Sequence, residues 1–170
     1  QELDVGDPAD PATTVASLLD DETPDRVRSW VDEAEQRGAR LLTGGRREGR
    51  VVWPTVLTDV PTDCRVWREE VFGPVVVLAT AEDLDDAIRL AEDTRFGLNA
   101  AIFTESLDVA FTAIRRLHAG TVLVNEATQW RTEFVPFGGT KDSGTAREGP
   151  RYAIQQMTRP KLAVLALEAR

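Results

Sequence analysis

The sequence predicts an α/β domain built on a parallel sheet, and three observations carry this. A β-prone run, Val75 to Leu78, is followed by helix-period apolar positions. A second run (Ala100 to Phe103), a second helical stretch and a third run (Thr121 to Val124) come after it. This β-α-β-α-β order implies parallel pairing through right-handed crossovers. The unbroken apolar character of Val75-Val76-Val77-Leu78 fits a strand covered on both faces. Finally, 170 residues with 42% hydrophobic content suffice for one soluble domain with a real core.

Taken in order, Asp4 to Glu22 is rich in Asp, Pro and Thr and reads as a looped, extended lead-in. A helix follows, with Thr23 as cap and Pro24 at its first position. Val27, Trp30, Val31 and Ala34 share one face, and Gly38 ends it. Leu41-Leu42 precede a turn at Gly44-Gly45. Val51 to Leu57 reads as extended, interrupted at Pro54. After the Val75 strand, Thr80 and Asp83 form a capping-box-like start for a helix that turns Leu84, Ala87, Ile88 and Ala91 inward. Ser106 caps the next helix, which carries Leu107, Ala110, Phe111, Ile114 and Leu117 and closes at Gly120. From Glu126 to Gly149 the chain has little periodicity and four glycines, as expected of a functional or interface loop. Tyr152 to Met157 permits a short helix. Lys161 to Leu167 reads as an apolar strand that needs a partner.

Composition narrows the functional classes. A net charge of −9 and a pI near 4.7 disfavour nucleic acid and anionic membranes, and neither is expected as a partner. One cysteine, Cys64, leaves no intrachain disulfide, and one histidine, His118, leaves no His-based metal cluster. No apolar run reaches membrane-span length. The opening residues, Gln1-Glu2-Leu3-Asp4, lack the basic and apolar segments of a secretory leader, so a cytoplasmic location is expected.

Two stretches are the most informative: Glu69-Glu70-Val71-Phe72-Gly73-Pro74, and Pro136-Phe137-Gly138-Gly139-Thr140-Lys141-Asp142-Ser143-Gly144. Between and around them stand Val5-Gly6-Asp7-Pro8-Ala9-Asp10-Pro11, Gly38-Ala39-Arg40-Leu41-Leu42-Thr43-Gly44-Gly45 and Pro54-Thr55-Val56-Leu57. Further on come Phe96-Gly97-Leu98-Asn99-Ala100-Ala101-Ile102-Phe103-Thr104 and Ala119-Gly120-Thr121-Val122-Leu123-Val124-Asn125. In this order the segments resemble the C-terminal half of NAD(P)-dependent aldehyde dehydrogenases, from about Val5 to about Leu167. The tail, Ala146-Arg147-Glu148-Gly149-Pro150-Arg151-Tyr152-Ala153-Ile154-Gln155-Gln156-Met157-Thr158, is most similar to the branch of lactaldehyde and non-phosphorylating glyceraldehyde-3-phosphate dehydrogenases. The resemblance implies a three-layer, parallel-sheet catalytic-domain portion over residues 1–160. Residues 161–170 would form the strand and tail through which family members assemble. One departure is Ala146, where the family usually has glycine.

The resemblance also assigns roles. Glu70 matches the carboxylate that accepts hydrogen bonds from the nicotinamide ribose hydroxyls, a task suited to two oxygens facing a vicinal diol. Phe72 would lie against the nicotinamide ring. The plainer reading has Glu70 capping a turn and Phe72 filling the core. Phe137 matches an aromatic of the aldehyde tunnel, whose apolar wall keeps water from the thioester intermediate. Trp130 and Arg131 fall in the segment shaping the tunnel mouth. Arg131 can hold a substrate carboxylate or phosphate, or simply be a solvated loop arginine. Glu148 matches a carboxylate implicated in proton relay to the hydrolytic water, or it pairs with the adjacent Arg147. Cys64 precedes the Glu70 motif, where the family has no catalytic thiol, and Asp63 beside it disfavours a thiolate.

The family's nucleophilic cysteine, its oxyanion-stabilising Asn, its general-base Glu and its Rossmann-like domain all belong upstream of the matched span. No G-x-G-x-x-G fingerprint occurs in the chain. NAD or NADP is the family cofactor, and its binding by this chain alone is not expected. Three readings stay open. The chain is the C-terminal portion of an aldehyde dehydrogenase, inactive alone and working with a complementary N-terminal half. Or it is a non-catalytic assembly module that forms homo-oligomers. Or it reuses the tunnel for non-redox chemistry on a small aldehyde or other carbonyl compound.

Overall fold

The computed structural model describes residues 3–166, and the chain divides into two compact units, one ending at Ala81 and one beginning at Glu82. The architecture is mixed α/β with two parallel strand ladders.

The first unit opens with an Asp-rich looped segment. The carboxylates of Asp7 and Asp10 accept the N–H groups of Ala9 and Ala12, both at 2.9 Å. Helix α1 spans Glu22–Gln36 and starts earlier than the sequence suggests. Asp20, not Thr23, supplies the capping oxygen, accepting from Glu22 at 3.1 Å and Thr23 at 2.7 Å. A short carboxylate placed just ahead of the first turn reaches two of the N–H groups that lack intrahelical partners. Val27, Val31 and Ala34 are buried on one face, and the helix runs out at Arg37 and Gly38, the latter at φ 103°. Strands β1 (Arg40–Thr43), β2 (Arg47–Glu48), β3 (Val51–Val52) and β4 (Thr55–Thr58) follow, then helix α2 (Arg65–Arg68) and strand β5 (Val75–Leu78). Pro54, which lacks an N–H, separates β3 from β4. The three-stranded sheet has the order β1-β4-β5, with β1 antiparallel to β4 and β5 parallel to it. Leu57 at its centre is fully buried with Val31, Ala34, Val60, Cys64 and Val66.

Strand β5 corrects an expectation. Val75 and Val77 pack against this core, but Val76 and Leu78 are about half exposed, so only one face is covered. A continuous apolar run shows that both faces tolerate burial; it does not supply the second layer.

The second unit contains α3 (Leu84–Glu92), β6 (Phe96–Gly97), β7 (Asn99–Ile102), α4 (Leu107–Arg116), β8 (Thr121–Val124), β9 (Thr140–Lys141) and α5 (Pro150–Met157). Asp83 caps α3, accepting the Asp86 N–H at 2.8 Å; Thr80 has no part in the cap. Ser106 caps α4 as expected. The parallel ladder runs from Asn99 opposite Thr121 to Ile102 opposite Val124. Strands β6 and β9 pair antiparallel, which ties part of the long loop.

The inward faces of both helices are narrower than their periodicity suggests. Only Ile88 is buried in α3, and Ala87 and Ala91 are exposed. In α4 the small side chains Ala110 and Ala113 are buried, whereas Leu107, Phe111 and Ile114 are exposed. Small residues let a helix backbone approach β8 closely, and the larger ones then fall on the outer rim. Among the described residues, 161–166 form no strand, and Leu162, Val164 and Leu165 are exposed; Leu167 lies outside the described residues.

Candidate functional site

The Glu70 segment is set between α2 and β5. Glu69 donates its N–H to Arg65 at 2.8 Å, closing the short helix, and Thr55 donates to Pro74 at 2.8 Å, fixing the entry to β5. Between these ties the backbone turns sharply. Phe72 has φ 49°, a left-handed conformation that costs an aromatic residue energy. Gly73 follows at a close approach: a Cβ there would lie 2.8 Å from Cγ2 of buried Val27, so that side chain would have to shift.

The outcome is unfavourable to a purely structural role for either side chain. Phe72 is 70% exposed and fills no core. Glu70 is exposed, and among the described residues no hydrogen bond or ion pair engages its carboxylate, so it caps no turn. A strained turn presents an aromatic ring and an uncommitted carboxylate two residues apart. That pair suits a ligand with hydroxyl donors beside a flat ring.

In the second unit, Phe137 and Glu148 form an isolated antiparallel bridge: Glu148 donates to the Phe137 carbonyl at 2.7 Å and Phe137 donates back at 3.3 Å. Residues paired this way project side chains to the same side, and their chain neighbours project to the other. This overturns the pairing of Glu148 with Arg147. Arg147 instead donates to the carbonyls of Gly139 at 2.7 Å, Ala146 at 3.0 Å and Thr145 at 3.3 Å. The partner of Glu148 is Arg131: its Nη2 donates to Oε2 at 2.5 Å, and its guanidinium carbon lies 4.3 Å from the Phe137 ring centroid. Arg131, Phe137 and Glu148 thus come together. Trp130 does not join them; it is half exposed and lines a shallow groove of about 310 Å³ over Thr121, Val122, Leu123 and Val124.

Ala146 is not among the residues with positive φ; Gly144 and Gly149, at 90° and 109°, take the left-handed positions. Sequence reading overlooked Asn125 and Asn99. Asn125, at φ 56°, accepts from the Thr104 N–H at 2.7 Å and donates to its carbonyl at 2.9 Å. Asn99 donates to the Thr128 carbonyl at 2.9 Å. Together they anchor the stretch leading to Arg131. The signal was an Asn closing the strand run at Val124, since Asn tolerates left-handed backbone.

Cys64 is fully buried in the core of the first unit. Burial pushes its thiol up, and Arg37, itself paired with Asp63 at 2.6 Å, opposes this only in part. A buried thiol held protonated is no nucleophile. Among the described residues no cluster of His, Cys, Asp and Glu could hold a metal ion, and no helix is long and apolar enough to cross a membrane.

A profile described as the aldehyde dehydrogenase family matches residues 1–163, and the chain belongs to that family. It is 40% identical over 167 residues to 3-sulfolactaldehyde dehydrogenase of Priestia aryabhattai, covering 98% of this chain and 35% of that protein. It is 32% identical over 165 residues to lactaldehyde dehydrogenase of Methanococcus aeolicus, covering 97% of this chain and 35% of that one. Among solved structures, glyceraldehyde-3-phosphate dehydrogenase GapN of Methanocaldococcus jannaschii, complexed with NADP, superposes with a TM-score of 0.86 at 35% identity, covering 91% of this chain and 34% of that one. These relatives include a lactaldehyde dehydrogenase and a glyceraldehyde-3-phosphate dehydrogenase. The chain spans about a third of the length of the relatives it matches.

Proposed function

We propose that this chain is the C-terminal part of an aldehyde dehydrogenase catalytic apparatus, which oxidises a small aldehyde to a carboxylic acid with NAD or NADP. The observation that carries this reading is Glu70 with Phe72: a carboxylate without a partner among the described residues and an exposed ring, both on a strained turn. Their chemistry fits the nicotinamide end of a dinucleotide. Glu70 would accept from the ribose hydroxyls, and Phe72 would bear on the ring face. The bound cofactor would supply a hydride acceptor at this point. Phe137 would wall the aldehyde path, with Trp130 at its mouth. Arg131 would read an anionic group on the substrate, and Glu148 would help carry away the proton that the hydrolytic water loses. The names of two relatives, acting on 3-sulfolactaldehyde and glyceraldehyde-3-phosphate, support an anionic aldehyde.

The reaction also needs a nucleophilic thiol, and buried Cys64 does not offer one. We therefore expect the purified chain to yield no reduced cofactor from an aldehyde panel. Adding a segment that carries the family's cysteine and dinucleotide domain should restore turnover. Turnover by the chain alone that is lost in Cys64→Ala would overturn the reading. Stable self-association without ligand binding would favour an assembly module; turnover of a carbonyl compound without NAD(P) would favour non-redox chemistry.

The exposed apolar stretch of residues 161–166 suits pairing with another copy or with the complementary half. Removing residues 161–170 should then shift any associated form towards monomer or insolubility, measured by light scattering; no change in mass or solubility would count against it.

A further inference from the structure

Arg131, Phe137 and Glu148 form a contact with two attachments of different strength. Phe137 and Glu148 are held side by side by two backbone hydrogen bonds, so their side chains leave the backbone as neighbours on one side. Arg131 lies over the ring and gives one donor to the carboxylate. The stretch before Arg131 is pinned through Asn125 and Asn99. The ion pair itself is the soft element: the Arg131 side chain is 48% exposed and that of Glu148 65%. Exposed pairs are weak and exchange readily, and a guanidinium lying on a ring leaves its edge donors available to other partners.

A guanidinium offers five donors in a planar fork suited to carboxylate, sulfonate or phosphate. A second anion arriving at the same guanidinium competes with Glu148 for its charge and repels the nearby carboxylate. We infer that the Arg131–Glu148 pair is a substrate-operated switch. Without substrate, Arg131 holds Glu148. An anionic group on the substrate takes Arg131 and releases Glu148, still placed beside Phe137, to serve as the relay carboxylate. Arg131 is then a positioning residue for Glu148 as well as the anion reader. This rests on the reading of Arg131 and Glu148 given above, and it adds the coupling between them. A substrate lacking the anion would leave the carboxylate held.

Reciprocity gives the test, because two groups competing for one site must weaken each other equally. The full chain is titrated at constant ionic strength with propionate, ethanesulfonate and inorganic phosphate in separate arms, and with neutral propionamide. Two NMR signals are followed, the Arg131 side-chain ¹⁵Nε and the Glu148 carboxyl ¹³C. Each anion, but not propionamide, should move both signals with one shared Kd. The ordering of the three arms shows which anion fits best. Glu148→Gln should tighten the Kd by roughly two- to fivefold, the range expected for releasing an exposed pair. Glu133→Gln, removing a nearby charge outside the cluster, should do less. Arg131→Lys, keeping charge without the fork, should uncouple the Glu148 signal. An Arg131 signal that moves while Glu148 stays still, or a Glu148→Gln variant that binds no tighter than Glu133→Gln, overturns the switch and leaves anion reading intact. No movement of Arg131 with any anion overturns both.

Discussion

The two units treat their apolar side chains differently. In the first, three strands, α1 and α2 close over Leu57, Val31, Cys64 and Val66, and one face of the sheet packs into a buried core. In the second, burial centres on Ile88, Ala110, Ala113 and Leu123, while Phe103, Phe111 and Met157 stand 54–84% exposed. The candidate residues follow the same division. Among the described residues the Glu70 carboxylate has no partner and the Phe72 ring is exposed, whereas Arg131, Phe137 and Glu148 are engaged with one another. The difference teaches that a well-packed unit can hold strain and offer free groups. A unit with sparse burial must order its functional loop through polar ties.

The contrast can be broken first at the cores. Leu57→Ala should destabilise by about 3–5 kcal/mol in urea denaturation, since a fully buried side chain leaves a cavity. Leu123→Ala, in a two-stranded ladder, should cost about 2 kcal/mol, the low end of the same range. Equal losses would show that the second unit packs as well as the first.

The glycines should give the next effect. A Cβ on Gly120 would lie 1.6 Å from the Gly138 carbonyl oxygen, a backbone atom. Gly120→Ala should therefore cost about 2–3 kcal/mol and disturb the loop carrying Phe137. Gly73→Ala meets only the Val27 side chain, so about 1 kcal/mol is expected, measured the same way.

A pH titration sharpens the role of polar ties. Burial pushes the Glu92 carboxyl up, but the His118 N–H at 2.7 Å, Lys141 at 3.0 Å and the His118 ring at 2.9 Å outweigh this and hold it below the ordinary value. With the folded value depressed, the unfolded chain takes up the proton first. The contribution is therefore present above the unfolded value of about 4.3 and lost as pH falls through the folded one. Glu92→Gln should cost about 1 kcal/mol at neutral pH, with the gap closing below about pH 4. A gap independent of pH would remove the charge from the account.

The smallest effect belongs to Glu70→Gln, which should change stability by less than about 0.5 kcal/mol, because the carboxylate holds nothing in the fold. With the complementary half present, the same variant should raise the cofactor KM. A stability loss above 1 kcal/mol, on the order of a charged hydrogen bond, would return Glu70 to a structural role.

The sequence by itself determined the α/β class, the parallel β7–β8 ladder, the Ser106 cap and the family, because periodicity, capping chemistry and ordered motifs are local signals. It also pointed away from Cys64 as a nucleophile and towards Glu70 and Phe72 as candidates. Only the tertiary structure decided what each apolar face meets. The exposed side of β5 and the rim of α4 follow from which layers are present, and a one-dimensional pattern does not carry that. It likewise decided that Glu148 pairs with Arg131 across 17 residues instead of with its neighbour Arg147. An antiparallel bridge sends adjacent side chains to opposite sides, so chain proximity gives way to the pairing of strands.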